Sequence, residues 1–240
     1  MNDGMNETGN GSDENLYETT GNSPPKRRRK NAPLLQERLT LTGSPSSGSP
    51  LVVYFKGLCE PYNPGGIACY GFLIKSDGRT MHSGCGLATR PFHPNATNNG
   101  AAYSALIEAL EWLVANGLED RPIAIQGDSL FVINQVKGAY AIRARTLLRL
   151  REKAARLLSC LSRGSLGWVP KRGNGEAGLL TWKAYVEVLE KNAKLREQLE
   201  GHLITQKQVE VLRNFHVEPM KYLSRRDASR LLSSLLRSVR

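Results

Sequence analysis

From residue 51 onward, hydrophobic and polar residues first follow a strand-like pattern. Three such segments, at roughly 51–57, 67–75 and 79–87, are separated by the turn-forming sequences EPYNPGG and SDGR. Short turns rich in Gly, Pro, Asn and Asp commonly join neighbouring strands that run in opposite directions. The pattern therefore predicts an antiparallel meander of three strands.

Helical spacing of apolar residues begins after the third strand. Asn98 or Asn99 is predicted to cap a helix that runs to about Asn116, with Gly117 as its stop. The apolar face of this helix comprises Ala102, Leu106, Ala109, Leu110 and Leu113.

Strands and helices alternate in the next part of the chain. RPIAIQGD predicts a fourth strand ending in Asp128, SLFVINQVKG a short helix, and SLGWVP a fifth strand. Two longer helices are predicted, from about Ala144 to Leu161 and from Asn174 to about Leu199. The order β-β-β-α-β-α-α-β-α indicates an α/β (α+β) protein with a mixed five-stranded sheet and helices on both faces.

The two ends of the chain differ from this central domain, which we place at residues 49–190. Residues 1–48 contain few large apolar side chains and are predicted to be a disordered tail, acidic first and then basic. Residues 191–201 are predicted to be a helical linker and residues 202–240 a small basic helical module. In that module TQKQ and SRRD each match a capping box, a signal for the start of a helix.

Charge indicates the class of partner. The formal net charge is +11, and because acids and bases cancel within the first 50 residues, the whole excess lies on residues 51–240. A basic surface favours a polyanion such as nucleic acid as partner. The tail itself holds a basic run that is a solvated segment, a clamp on a phosphate backbone or a nuclear import signal. That run comprises Lys26, Arg27, Arg28, Arg29 and Lys30.

Composition also bears on the cellular compartment. No apolar run approaches the roughly 20 residues that a membrane helix needs, and the first residues lack the order of a secretory signal. We therefore expect a cytoplasmic (intracellular) protein with no membrane partner. The cysteines lack the paired spacing of a zinc site and are predicted to be buried thiols, with one disulfide bridge as the alternative. They are Cys59, Cys69, Cys85 and Cys160.

Four motifs lie in order across residues 51–190: NPGGIACYGFLI, ATNNGAAYSALIEALEWL, IQGDSLFVINQVKG and WVPKRGNGEAGLL. Together they resemble the type 1 ribonuclease H family, most closely its short prokaryotic or archaeal form. The resemblance implies a ribonuclease H-like fold and RNA or an RNA–DNA hybrid as partner. In that family four carboxylates hold two Mg²⁺ ions, which activate a water molecule and stabilise the leaving oxygen as the RNA strand is cut.

Aligning the motifs with the family pattern places the four carboxylate positions on Lys56, Ala102, Asp128 and Gly178. Only Asp128 is a carboxylate, and a cation at residue 56 repels a metal ion at contact distance. We therefore expect no intact catalytic residue, no bound metal and no cofactor. Substitute ligands would have to come from acids nearby in the sequence, which are Glu60, Glu108, Glu111 and Glu176.

Two roles remain open for Lys56. Its stem packs beside the sheet while the ammonium reaches water, or the ammonium pairs with Asp128 in place of the missing metal ions. We favour the pairing.

The resemblance further implies a groove that binds nucleic acid beside these positions. The residues that approach the RNA sugar edge in the family correspond to Asn63, Gly65 and Gly66. Those that meet the phosphates of the DNA strand correspond to Thr97, Asn98 and Asn99. Turn glycines and a helix cap explain the same residues without a ligand.

Basic residues outside the motifs give independent support for a nucleic-acid partner. One face of the long middle helix carries Arg145, Arg149, Lys153 and Arg156, which either contact phosphates or form a solvated face. Lys171 and Arg172 flank the former catalytic positions. The C-terminal module weakly resembles small helical modules of DNA- and RNA-processing proteins, and its basic edge includes Arg225 and Arg226.

Three functions are compatible with these features. The favoured one is a catalytically inactive ribonuclease H-like protein that binds structured RNA, an RNA–DNA hybrid or a ribonucleoprotein. The second is a structural or regulatory subunit of a large RNA-containing assembly such as the ribosome. The third is an RNA–DNA hybrid endoribonuclease with a rearranged metal site.

Overall fold

The computed structural model of the protein describes residues 48–238. The predicted tail, including its basic run at 26–30, therefore lies outside the described residues, except for residue 48. The central sheet contains five strands, in the predicted order along the chain. They are β1 (Leu51–Glu60), β2 (Ile67–Ser76), β3 (Arg79–Leu87), β4 (Pro122–Gly127) and β5 (Arg163–Trp168).

Seven α-helices accompany the sheet within residues 48–238, and the first four lie between or directly after its strands. They are α1 (Asn98–Ala115), α2 (Leu130–Val136), α3 (Arg145–Ser159), α4 (Gly175–Lys191), α5 (Ala193–Leu199), α6 (Gln206–Asn214) and α7 (Arg225–Ser238). No helix in this part of the chain is both long and apolar enough to span a membrane.

The strand order in the sheet is β3-β2-β1-β4-β5, so that β1 is central. β1 to β3 form the predicted antiparallel meander, while β4 is parallel to β1 and β5 is parallel to β4. In this register Phe55 lies opposite Gly127. Lys56 and Asp128, the residues that follow these two positions, therefore lie next to each other where the pairing of β1 with β4 ends.

The two faces of the sheet pack against different helices. Leu51, Val53 and Phe55 of β1 are buried in a core with α1, α2 and α3. A second core lies on the other face, where Tyr185 and Leu189 of α4 pack with β2 and α5. Burial of a large apolar side chain of this kind contributes about 1.5–3 kcal/mol. Helices on both faces of a mixed sheet confirm the predicted fold class.

Gly57 sets the distance between β1 and the start of α1. A Cβ atom at residue 57 would lie 2.3 Å from the backbone nitrogen of Ala102 and 2.3 Å from the backbone oxygen of Asn98. Only glycine therefore allows the helix to approach the strand this closely. As a result, residue 102 lies directly beside the strand that carries Lys56.

Two helix boundaries differ from the sequence-based expectation. The N-cap of α1 is Thr97, whose hydroxyl accepts a hydrogen bond from the Gly100 amide at 2.9 Å, and not Asn98 or Asn99. The predicted helix from Asn174 to Leu199 is two helices, because Asn192 has a non-helical backbone (φ −130°, ψ 87°). The Arg196 side chain, at 2.7 Å, donates to the Leu189 carbonyl at the end of α4, so the interruption is stabilised locally.

The C-terminal helices α6 and α7 begin at the predicted caps. Thr205 and Gln208 form a complete capping box, and the Ser224 hydroxyl accepts a hydrogen bond from the Asp227 amide at 3.1 Å. The loop before α7 contacts α4, because the Trp182 indole donates to the Lys221 carbonyl at 3.1 Å. Both helices belong to the same compact unit as the sheet.

Candidate functional site

Lys56 and Asp128 come together where the pairing of β1 with β4 ends, after Phe55 and Gly127. The Lys56 ammonium donates a hydrogen bond to Asp128 Oδ2, and the side chains are only 19% and 10% exposed. The lysine stem packs beside α4, where a Cβ atom at residue 178 would lie 3.4 Å from Lys56 Cδ. The favoured prediction of a Lys56–Asp128 pair is confirmed.

Asn174 completes this arrangement from the end of the short 3₁₀ turn that precedes α4. Its Nδ2 donates to the Phe55 carbonyl at 3.0 Å and to Asp128 Oδ1 at 3.1 Å. Both carboxylate oxygens of Asp128 are therefore hydrogen-bonded. We refer to Lys56, Asp128, Asn174 and Gly178 together as the Lys56 site.

The sequence predictions did not include Asn174 among the site residues. The signal was present, because a polar residue stands directly before the last helix in the motif WVPKRGNGEAGLL. The side chain is 1% exposed, and its Oδ1 atom is buried without a hydrogen-bond partner among the described residues. Asn174 is buried although its Oδ1 atom is unpaired, so the two hydrogen bonds that its amide donates hold the side chain in place.

Two magnesium ions do not fit the residues present at this site. Ala102 is buried and has no polar side-chain atom, Gly178 has no side chain, and the charges of Lys56 and Asp128 cancel. A unit positive charge 4 Å from the ammonium would be repelled by about 4 kcal/mol at an effective dielectric constant of 20, and a dication by twice that. No group of three or more His, Cys, Asp or Glu side chains between residues 48 and 238 is arranged to hold a metal ion.

The neighbouring acids do not replace the missing ligands. Glu176 pairs with Lys75 at 2.5 Å, and Glu111 pairs with Lys153 at 2.7 Å. Glu108 is exposed on α1. Each of these carboxylates is therefore directed towards a cation or solvent and not towards Asp128.

Glu60 lies four residues beyond Lys56 on β1, in a different environment. Burial raises the pKa of its carboxyl to about 7; Asp227 raises it further, whereas Arg226 opposes the shift. One carboxyl oxygen, Oε2, is buried without a hydrogen-bond partner in the described part of the chain. The charged groups that shift this pKa therefore lie at the start of α7 and not in the Lys56 site.

The predicted groove residues adjoin one another beside the Lys56 site. Asn63 Oδ1 accepts a hydrogen bond from the Asn98 amide at 3.1 Å, and the Gly65 amide donates to the Ala96 carbonyl at 2.8 Å. These contacts join the turn after β1 to the start of α1. Gly65 has a φ of +88°, a conformation that favours glycine.

Asn99 extends this surface towards β4. Its Oδ1 accepts a hydrogen bond from the hydroxyl of Ser129, the residue after Asp128, at 3.3 Å. Gly66 must be a glycine because a Cβ atom there would lie 2.4 Å from the Tyr62 carbonyl oxygen. Thr97 is thus a helix cap, and Gly65 and Gly66 are turn glycines, as the explanation without a ligand requires. The same contacts also place one continuous polar surface next to the Lys56 site.

The predicted basic residues do not form a single cluster. Lys171 and Arg172 are exposed in the 3₁₀ turn that ends at Asn174, and so lie closest to the Lys56 site. Arg145, Arg149 and Arg156 are exposed on α3, which packs against α1 on one face of the sheet. Lys153, predicted to belong to the same face, is instead neutralised by Glu111 because the two helices pack together.

Arg225 and Arg226 are exposed at the start of α7. The loop that leads into this helix contacts α4, on the face of the sheet opposite to α3. These arginines are therefore separate from the cations of α3, and together the two sets place positive charge on both sides of the molecule.

The thiol groups have no catalytic arrangement. All four cysteines are free, and Cys59 and Cys69 are buried as predicted. Burial raises the pKa of Cys59 to about 11 and that of Cys69 to about 12, so both are protonated near pH 7 and are poor nucleophiles. Cys85 is partly buried, and the prediction of burial is wrong for Cys160, which is exposed where α3 ends.

Comparison with known proteins identifies the family. A family model described as "Reverse transcriptase-like" matches residues 71–184. Ribonuclease HI of Halobacterium salinarum is 34% identical over 146 residues, which cover 61% of this chain and 69% of that protein.

Solved structures agree with this match. The crystal structure of RNase H1 from Halobacterium salinarum NRC-1 is 32% identical, covers 58% of this chain and 99% of its own, and superposes with a TM-score of 0.51. The N-terminal RNase H domain of a Mycobacterium tuberculosis protein is 26% identical, with coverage of 60% and 98% and a TM-score of 0.52. LC11-RNase H1 in complex with an RNA/DNA hybrid is 27% identical, with coverage of 58% and 99% and a TM-score of 0.51. Together with the strand order, the motifs and the position of the Lys56 site, these matches show that the chain belongs to the type 1 ribonuclease H family.

Proposed function

We propose that this protein binds RNA–DNA hybrids without cleaving them. The observation that carries the proposal is the Lys56–Asp128 ion pair, which Asn174 holds at the position where the family resemblance expects metal ligands. The bound RNA/DNA hybrid in the structure of LC11-RNase H1 supports the same class of ligand for this chain.

The charge of the Lys56 site accounts for the loss of cleavage. Four carboxylates carry four negative charges, which attract two dications, whereas the residues present here sum to zero. Without metal ions, no group at this site lowers the pKa of a water molecule or stabilises the leaving oxygen. The nearby acids support the same conclusion, since Glu111 and Glu176 are paired with lysines.

The surface around the site supports binding. The polar surface formed by Asn63 and the start of α1 adjoins the Lys56 site, and Lys171 and Arg172 are exposed beside it. Each cation that neutralises a phosphate releases counterions, which strengthens binding at low salt. The excess positive charge, which lies wholly on residues 51–240, contributes in the same direction.

A paired assay tests both parts of the proposal. Hybrid, duplex DNA and duplex RNA of one sequence are titrated by fluorescence anisotropy at about 50 mM salt, and cleavage of the labelled RNA strand is followed with Mg²⁺ and with Mn²⁺. We expect binding of the hybrid and no cleavage, with Halobacterium salinarum ribonuclease HI as the positive control. Metal-dependent cleavage would refute the proposal that the protein is inactive. Failure to bind the hybrid would refute the proposal that the hybrid is its ligand.

Charge variants locate the binding surface. Replacing Lys171 and Arg172 by glutamine is expected to weaken hybrid binding and to lower the salt dependence by about two units of slope. The matched control replaces Lys183 and Lys191 of α4, which are 66% and 75% exposed and both pair with Glu187. This control removes the same charge from a different surface, so equal losses in both variants would indicate a non-specific effect of net charge.

Copurification distinguishes this function from that of a subunit in a ribonucleoprotein. The proposal expects the isolated protein to bind a bare hybrid. Recovery at fixed stoichiometry with a large RNA-containing assembly, together with no affinity for the bare hybrid, would favour the assembly subunit.

A further inference from the structure

The Lys56 ammonium is held in place and still has hydrogen-bond donors to spare. An ammonium has three N–H donors, and one of them is used by Asp128. Lys56 makes no other hydrogen bond or ion pair to the residues between 48 and 238. Its side chain is 19% exposed, so the site is not sealed from solvent. An acceptor that enters the site can therefore meet donors that are not yet used.

The position of the ammonium is fixed from two sides. Asp128 accepts its hydrogen bond and is itself oriented by Asn174 at 3.1 Å. The stem lies against α4 at Gly178, where an added Cβ atom would be in van der Waals contact with Cδ at 3.4 Å and with Cε at 3.5 Å. A lysine on a surface loses considerable side-chain entropy when it binds an anion, whereas this lysine is already ordered.

The charge of the site also favours an anion. Asp128 is the more enclosed partner at 10% exposure, and Lys56 is nearer to solvent at 19%. The cationic side chain is therefore the more accessible of the two. A cluster of four carboxylates would repel a phosphate until metal ions had bound, but a neutral pair does not.

We infer that Lys56 is a metal-independent contact for a backbone phosphate of the nucleic acid. Its ammonium takes over the electrostatic role of the metal ions towards a phosphodiester, while the chemistry of those ions is lost. The role rests on the hybrid binding proposed above, and it adds that this binding needs no divalent cation. The ligand group is a phosphate oxygen, which accepts hydrogen bonds from the free donors of Lys56.

The test measures hybrid affinity with EDTA and with Mg²⁺ at constant ionic strength. The wild-type protein is expected to bind at least as tightly in EDTA as in Mg²⁺, because Mg²⁺ only competes for the phosphates. For Lys56→Gln, we expect affinity to fall about tenfold at 50 mM salt and the salt slope to fall by about 0.9, the effect of one phosphate contact.

Two further variants separate a phosphate contact from a structural effect. Lys56→Gln leaves the Asp128 charge unpaired, so the double variant Lys56→Gln/Asp128→Asn restores neutrality and is expected to keep the tenfold loss. Lys75→Gln is the matched control, because Lys75 has the same side-chain exposure, 19%, and also pairs with a carboxylate. This control is expected to bind as the wild type does. Circular dichroism confirms that each variant is folded.

The outcomes distinguish this inference from the proposed function. Wild-type affinity and salt slope in the double variant would overturn the inference, since Lys56 would then be only the counter-ion of Asp128. Wild-type binding that requires Mg²⁺ would overturn it as well. In both cases hybrid binding itself would stand. Absence of hybrid binding by the wild-type protein under every condition would instead overturn the proposed function.

Discussion

Breaking the Lys56–Asp128 pair from one side is expected to destabilise the fold more than removing both charges. Lys56→Met retains the apolar stem beside Gly178 but leaves the Asp128 carboxylate, 10% exposed, without its cation. Removing one partner of a buried ion pair costs about 3–5 kcal/mol. Because both side chains retain some exposure, we expect about 2–3 kcal/mol for this variant.

The other variants of the cycle cost less. Asp128→Asn keeps the shape of the side chain, and the Lys56 side chain is 19% exposed, so we expect a loss of about 1 kcal/mol. The double variant Lys56→Met/Asp128→Asn contains no unpaired charge and is also expected to lose about 1 kcal/mol. The coupling free energy of the two residues then has a magnitude of about 2–3 kcal/mol.

Urea unfolding followed by circular dichroism measures the four stabilities. With a slope of about 2 kcal/mol per molar urea, a loss of 2 kcal/mol lowers the midpoint by about 1 M, which is easily resolved. The same cycle on Lys75 and Glu176 is the control, because Glu176 is 64% exposed and the pair should couple by less than about 1 kcal/mol. Additive effects within about 0.5 kcal/mol at Lys56 and Asp128 would refute the account of this pair.

Three further predictions follow from the same structure. The triple variant Lys56→Asp/Ala102→Glu/Gly178→Asp restores the carboxylates, and its melting temperature is expected to rise when Mg²⁺ is added. The melting temperature of the wild type should not change with Mg²⁺. A triple variant whose melting temperature does not respond to Mg²⁺ would show that the metal positions are misassigned. Burial raises the pKa of Glu60 from 4.5 to about 7, so the folded state binds its proton more tightly and stability should fall by about 1–3 kcal/mol as pH rises from 4.5 to 7. In the variant Glu60→Gln, the urea midpoint should no longer fall between pH 5 and pH 8. An unchanged pH dependence in this variant would contradict the assignment of the stability loss to Glu60. Gly57→Ala should cost at least about 3 kcal/mol or prevent folding, because its Cβ would lie 2.3 Å from backbone atoms of α1, while Gly167→Ala, with no atom within 4 Å of the new Cβ, should be tolerated.

The sequence was sufficient to predict the elements and their order. The apolar run of β1 and the helical spacing of α1 are local signals, and the turns between the first strands predicted their antiparallel pairing. The break at Asn192 was not predictable in this way, since the residues on both sides are helix formers. It depends on how Arg196 reaches back to the carbonyls of α4, a contact that spacing alone does not reveal.

Prediction of the site was limited by contacts between distant elements. The pairing of Lys56 with Asp128 followed from the motifs, and the parallel register of β1 and β4 brings the two residues together after the last paired positions, Phe55 and Gly127. The neutralisation of Lys153 by Glu111 was missed because it requires the packing of α3 against α1. The pKa of Glu60 could not be foreseen either, since its burial is accompanied by the approach of Asp227 from a helix more than 160 residues away in the chain.

Two of the replacements at the carboxylate positions, those at residues 56 and 178, adjoin one another. The lysine stem lies against Gly178, where an added Cβ atom would be in ordinary van der Waals contact with Cδ at 3.4 Å. The lysine ammonium needs Asp128, the carboxylate that it contacts. Conversely, Asp128 retained alone among uncharged residues would be an enclosed, unpaired charge. An aspartate at residue 178 alone would begin in van der Waals contact with the stem and offer Lys56 a second carboxylate. A carboxylate restored at residue 178 alone would therefore face the Lys56 cation and not a metal ion.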